Sequence, residues 1–371
     1  MADVVIAGGG VIGCAAAYYL TKAGASVTLL EKGEVGGAAS GAAAGMLVPP
    51  AEAAASGPFR TLSRAGLALY PELVAALSDE TGIDVQYTNA GLLLVAQSEG
   101  RAGALRAVAR WSAAGGELGL ALEWVEGGPL RSLEPALSER LMGAAYSPEA
   151  RHVNPGLLTQ ALARARAAAG RGAKLRQGEG VAGFVRRGER VTGVRLVGGE
   201  TFGADHVVLA AGPWTRALAL RLGASVPTRP MRGQMLAYRT NAVRHMIWGE
   251  DGYLVPKAGG FLFAGATVED AGFRPRTTAR GLAGLRRMAR SIVPALRYGE
   301  VASAWAGLRP GSPDGLPIIG RMPGWENVYA ATGHFRNGIL LGPITGKLIA
   351  QLMTGGETDV PLEPFRPERF G

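Results

Sequence analysis

Gly8, Gly10 and Gly13 stand at the spacing Gly-x-Gly-x-x-Gly. The chemistry of that spacing is phosphate binding. The first glycine allows a tight turn, the second lets the backbone approach a pyrophosphate, and the third lets a helix pack on a strand. The helix that follows offers unpaired N–H groups and a partial positive charge to the phosphates. The motif carries weight only between a strand and a helix. Asp3-Val4-Val5-Ile6-Ala7 reads as a short buried strand, residues 14–23 as a helix stopped by Gly24, and residues 26–31 as a second strand. Glu31 ends that strand, about 20 residues past the glycines, where an acid can bond a ribose hydroxyl. A carboxylate there repels a 2′-phosphate and argues against NADP. NAD and FAD remain open on the fingerprint alone.

The next segment separates them. Residues 33–57 are rich in Gly and Ala and poor in charge. The run from Ala38 through Ala39, Ser40, Gly41, Ala44 and Gly45 to Met46 and Leu47 has no evident role in a nicotinamide dehydrogenase. Small residues let backbone lie flat along an isoalloxazine ring, so the segment favours a flavin. Farther on, Arg309 sits in Gly-Leu-Arg-Pro at the end of an expected strand. Its guanidinium fork matches a carboxylate through two parallel hydrogen bonds. Tyr253 lies in a strand-like run before Pro256, and its hydroxyl can add a further bond to a carboxylate. Gly338 opens the last helix, whose positive end can face the flavin edge that gains negative charge on reduction. His334 is read as shaping the turn before that helix. His152, His206 and His245 fall in no motif, and no metal-ligand spacing appears among them.

These residues need elements to hold them. Residues 59–82 read as a helix, 83–97 as a hairpin and 101–114 as a helix. Asn154-Pro155 reads as a cap and first turn of a helix running to about Ala169, ended by Gly170. Residues 174–202 hold short strands, and 207–212 a buried strand entering a Gly-Pro turn. Residues 229–239, 253–256 and 261–266 suggest an antiparallel sheet. Residues 277–292 and 338–353 are helices. The chain has 371 residues, 47% hydrophobic and 19% charged, enough for two domains with ample core. The expected fold class is α/β (α+β overall), a Rossmann-like FAD-binding domain with an inserted antiparallel-sheet substrate domain. The first is assigned 1–82, 146–225 and 305–371; the second is assigned 83–145 and 226–304.

Composition removes several classes. One cysteine, Cys14, excludes an internal disulfide and cysteine-based metal sites. The net charge of +9 comes with scattered arginines, no basic run and only 6% aromatics, so nucleic acid is not an expected partner. No leader and no run long enough for a membrane span is seen, and a cytoplasmic setting is expected.

Taken in order, the motifs resemble the D-amino-acid oxidase family of flavoproteins, and within it the glycine oxidases of thiamine biosynthesis. The resemblance spans nearly the whole chain. It rests on the Gly8–Gly13 fingerprint with Glu31, Ala42-Ala43-Ala44-Gly45-Met46-Leu47, Tyr253-Leu254-Val255-Pro256-Lys257, Gly265-Ala266-Thr267, Trp305-Ala306-Gly307-Leu308-Arg309-Pro310, Asp314-Gly315-x-Pro317-x-Ile319-Gly320 and Gly333-His334-Phe335-Arg336-Asn337-Gly338-Ile339. It implies noncovalent FAD and oxidation of a small amino acid or amine to the imino acid, with O2 reduced to H2O2. It further implies thiazole synthase as a partner, which would receive iminoacetate, and a homo-oligomer, a tetramer in many members.

By the same resemblance, Arg309 anchors the substrate carboxylate, with Tyr253, Arg336 and Met46 beside it. The cofactor would lie against Gly8, Gly10, Val11, Ile12, Gly13, Glu31, Lys32, Ala39, Ser40, Ala44, Gly45, Met46, Val181, Ala211, Gly212, His334, Phe335, Arg336, Asn337, Gly338, Ile339 and Leu340. Two positions depart from the glycine-oxidase pattern. Asp251 replaces a histidine found in some members two places before the tyrosine, and Val268 replaces the methionine after Gly-Ala-Thr. Both leave the preferred amine open. Also open are a dehydrogenase of D-amino acids or secondary amines that passes electrons to another carrier, and a catalytically inert flavin-binding protein.

Overall fold

The computed structural model describes residues 3–49, 57–116, 119–168 and 173–371. Part of the Gly/Ala-rich stretch and the expected helix stop at Gly170 lie outside them. The first strand, Asp3–Ala7, alternates its side chains between two cores: Val4 and Ile6 face one, Val5 and Ala7 the other. A strand apolar on both faces belongs inside a covered parallel sheet. It lies fourth in a six-stranded sheet ordered Ile318–Arg321, Val328–Thr332, His206–Leu209, Asp3–Ala7, Ser26–Glu31, Lys174–Gln177. All neighbours pair parallel except Ile318–Arg321 with Val328–Thr332.

Eight α-helices occur among the described residues: α1 (Val11–Lys22), α2 (Pro58–Thr81), α3 (Glu99–Ala113), α4 (Gly127–Leu133), α5 (Pro155–Ala168), α6 (Thr215–Leu220), α7 (Ala279–Ile292) and α8 (Gly338–Thr354). Residues of α1, α2, α5 and α8 share one core with the sheet. The other face is covered by a three-stranded antiparallel sheet, Val181–Arg187, Arg190–Leu196 and Thr201–Gly203, together with α6. Asn154 caps α5 as its type suggests, its Oδ1 accepting from the N–H groups of Gly156 and Leu157 at 3.1 and 3.2 Å. α1 and α8 approach almost backbone to backbone. A Cβ on Gly346 would lie 2.4 Å from the carbonyl carbon of Ala15.

The second large sheet has nine strands. Arg229–Arg239, one of its two longest strands, lies near one edge, flanked by Phe261–Gly265 and Val301–Gly311, both antiparallel to it. The expected antiparallel sheet is therefore present, with one exception: Met246–Trp248 pairs parallel with Leu92–Ala96. That pairing also corrects the hairpin read over residues 83–97. Thr88–Asn89 pairs with Arg151–His152, and Leu92–Ala96 pairs with Gly143–Ser147. The two strands diverge into different sheets because Leu92–Ala96 is buried on every residue. A strand apolar on both faces is drawn to a sheet interior rather than to a local turn partner. α4 and α7 share a core with one face of this large sheet, and α3 with the other. We propose that the two large sheets mark the nucleotide-binding domain and the inserted domain. Among the described residues no helix is long and apolar enough to cross a membrane.

Candidate active site

One cavity of about 1010 Å³ runs from the carboxyl end of Asp3–Ala7 to the face of the nine-stranded sheet that α3 covers. Ordinary ligand pockets hold about 300–1,000 Å³, so this one suits a dinucleotide with a small substrate. Every residue expected at the cofactor or substrate lines it, with one exception, Gly13. Gly13 serves packing instead. A Cβ there would sit 1.9 Å from the carbonyl oxygen of Gly8.

At the nucleotide end, Gly8 has φ +116, a conformation side chains rarely tolerate. The N–H of Val11, first in α1, donates to Ser40 Oγ at 2.9 Å. Glu31 is fixed by its own loop: Oε2 accepts from Gly9 N–H at 2.7 Å and Oε1 from Gly33 N–H at 2.8 Å. Each carboxylate oxygen keeps a second lone pair for a ribose hydroxyl. Lys32 Nζ lies 3.3 Å from the ring centroid of Trp214, and burial lowers its pKa. Trp214 lines the cavity, yet the sequence reading missed it, although it directly follows the Gly-Pro turn.

Along the middle, Met46–Leu47 pairs with Arg151–His152. That pair is tied to the large sheet by Lys257, whose Nζ donates to the carbonyl of Val153 at 2.8 Å and lies 3.2 Å from His152 Nδ1. Burial pushes Lys257 down to about 7. Burial, helped by the Lys257 charge, pushes His152 down to about 3. Opposite, α8 begins without a side-chain cap. The residues of its first turn, Gly338, Ile339 and Leu340, line the cavity, so their N–H groups are available to a ligand edge. Phe335, in the turn before it, has φ +46. His334 is buried, and burial pushes it down to about 3. Its Nε2 meets Thr345 Oγ1 at 2.9 Å, while Nδ1 has no partner among the described residues. The structure thus gives a neutral, enclosed imidazole that lines the cavity.

The far end holds the carboxylate-binding candidates. Arg309 lies on Val301–Gly311 opposite Met231, and its Nη1 donates to the carbonyl of Thr267 at 2.9 Å. Its guanidinium covers Gly233, where a Cβ would come within 2.3 Å of it. Tyr253 Oη lies 3.5 Å from Met235 Sδ. Burial raises the phenol above its ordinary value, opposed by the charge of Arg309 and a hydrogen bond to it. Tyr253 therefore keeps its proton and can donate. Arg336 is exposed, with its guanidinium 5.8 Å from the Trp248 ring centroid. Trp248 meets Tyr253 edge-on at 5.9 Å. Trp248, Met235, Thr267 and Arg101 also line the cavity without having been singled out. Asp251 and Val268, the two departures, lie on its exposed rim.

The residues fit FAD on two observations. The glycine turn at Gly8 and the uncapped start of α8 leave backbone facing the cavity. The wall at residues 42–46 carries no charged side chain. Cys14 is buried in α1, with Sγ 3.5 Å from the carbonyl of Gly9.

Comparison with known proteins agrees with this geometry. A family model described as FAD dependent oxidoreductase (DAO) matches residues 3–352. Glycine oxidase of Geobacillus kaustophilus is 38% identical, over 98% of this chain and 96% of its own length. A bifunctional ThiO/ThiG protein of Nostoc sp. is 36% identical over 99% of this chain, which spans 55% of that protein. The crystal structure of glycine oxidase from Geobacillus kaustophilus superposes with a TM-score of 0.92, covering 99% of this chain and 98% of that one. With the match running almost end to end and the cavity built where a flavin dinucleotide requires it, the chain belongs to the DAO family of FAD-dependent oxidoreductases.

Proposed function

We propose that the protein oxidises glycine, or another small amino acid or amine, to the imino acid, with O2 reduced to H2O2. The observation that carries this is the pair Arg309 and Tyr253, set at one end of a cavity whose other end is a dinucleotide cradle. Arg309 is already oriented by Thr267, so its remaining N–H groups form a fork for a carboxylate. Tyr253, kept protonated, donates to the same group. Two anchors on the carboxylate leave the α-carbon and the amine facing along the cavity toward residues 42–46 and the start of α8. FAD held by the Gly8 turn, residues 42–46 and the start of α8 would supply the two-electron redox chemistry between the α-carbon and O2.

The chain's own contribution is alignment, which converts binding into rate. The amine must be neutral, and its proton goes to water. His334 takes no part, because its ring is buried and bonded to Thr345. Arg336, its guanidinium 5.8 Å from the Trp248 ring centroid, stands beside the substrate in this reading. Noncovalent FAD is part of this reading, the one cysteine being enclosed in α1. The imine from glycine would hydrolyse in water to glyoxylate and ammonia. A relative that joins ThiO to ThiG in one chain supports delivery of that imine to a thiazole synthase instead. A homo-oligomer is part of the same proposal. Assaying H2O2 and glyoxylate together during aerobic glycine turnover tests it. Equal yields are expected, and glyoxylate without H2O2 would assign the electrons to another carrier.

A further inference from the structure

We propose that Arg101 is a second anion-binding point at the substrate end of the cavity, so that the enzyme favours small amino acids carrying a second acidic group over neutral counterparts of equal size. This rests on the amino-acid oxidase reading of the same site.

Arg101 lies in the first turn of α3. With Ala104, one turn on, it borders the cavity beside Ser98 and Gly100. Ser98 brings this turn to the substrate end. Its Oγ accepts from Arg101 N–H at 3.4 Å and donates to Glu250 Oε1 at 2.7 Å. Glu250 lies three residues before Tyr253, in the connection that follows Met246–Trp248. The Nε of Arg101 is shielded from solvent and has no acceptor among the described residues. Arg106, on the same helix, shows the contrast, since it pairs with both Glu99 and Glu126. No ion pair of the Arg101 side chain occurs among the described residues, so its charge at the cavity wall is left for an anionic ligand.

A monocarboxylate needs one fork, which Arg309 supplies; Arg101 also lines the cavity, as do Lys32, Arg221 and Arg336. Arg309 is aimed by Thr267, and Arg336 lies over Trp248. Arg101 comes from α3, whereas Arg309 comes from Val301–Gly311 and Arg336 from the turn before α8. Glu250 and Asp251 line the same end, but both are exposed, so water and salt screen their repulsion. The second acidic group can sit on the nitrogen or on the α-carbon. Both sources share one chemistry, a carboxylate displaced from the first by a few bonds.

The test compares kcat/KM for two matched pairs: N-carboxymethylglycine against N-ethylglycine, and D-aspartate against D-asparagine. In the unaltered FAD-loaded enzyme the acidic member of at least one pair is expected to lead by about tenfold or more. The pair that shows it identifies which position is read. Arg101→Gln should bring that ratio close to one, and Arg101→Lys should leave it in between. Equal rates within both pairs in the unaltered enzyme would overturn the proposal without any variant. So would a preference that survives Arg101→Gln. If no amine, glycine included, reduces the flavin, the amino-acid oxidase reading fails instead, and the two failures are distinct.

Discussion

Arg309 is held in place before any substrate arrives, by the carbonyl of Thr267 and by the bare backbone of Gly233 beneath it. Removing it should therefore damage binding without damaging the flavin site. Arg309→Ala is expected to raise KM for glycine by about 100-fold or more, while flavin absorbance stays with the protein. An unchanged KM would remove Arg309 from the site. The two buried histidines make a second prediction. The folded chain keeps His152 and His334 neutral down to about pH 3, whereas an unfolded histidine binds its proton below about 6.5. The unfolded state then holds more protons, so stability is full above about pH 6.5 and falls as the pH drops toward 3. Urea midpoints across that window should fall more steeply than in the double variant His152→Asn/His334→Asn; parallel curves would contradict it. Glycine fingerprint and Gly-Leu-Arg-Pro were legible because each is a local string with its own chemistry. Trp248, Met235 and Arg101 were not. They reach the cavity through strand register and helix placement, which no single string encodes.

At the scale of elements, the site depends on where α1 and α8 begin. Both starts face the cavity, and the helices are locked together behind it at Ala15 and Gly346. Gly346→Val should push them apart, since added volume in a packed contact costs about 1–3 kcal/mol. The expected result is a lower melting temperature and weaker FAD retention together. Loss of neither would mean that the contact is not tight. The helix at Asn154-Pro155 was legible because a cap and an apolar period coincide; α8 was legible from its apolar period alone. The strands of residues 83–97 were misread as a hairpin. Their partners lie far away in sequence, and an apolar run does not announce which sheet will take it. The parallel pairing of Leu92–Ala96 with Met246–Trp248 was hidden for the same reason.

On the scale of the whole molecule, two sheets share one cavity: the mostly parallel one brings the Gly8–Gly10 turn to it, the other Arg309 and Tyr253. The general plan was legible, because the βαβ start and the later antiparallel runs separate cleanly in the chain. The charge of +9 is now partly located, with Lys32 and arginines 101, 221, 309 and 336 on the cavity. Acid precipitation is expected to release the flavin into the supernatant; yellow protein in the pellet would show a covalent link. The most direct measurement is anaerobic. Glycine, sarcosine, D-alanine and D-proline are added in turn to the FAD-loaded protein, and the oxidised flavin band is followed. Bleaching by at least one of them, reversed by admitting air with one H2O2 formed per flavin, is the expected result. A band that none of the four amines bleaches would contradict an amino-acid oxidase.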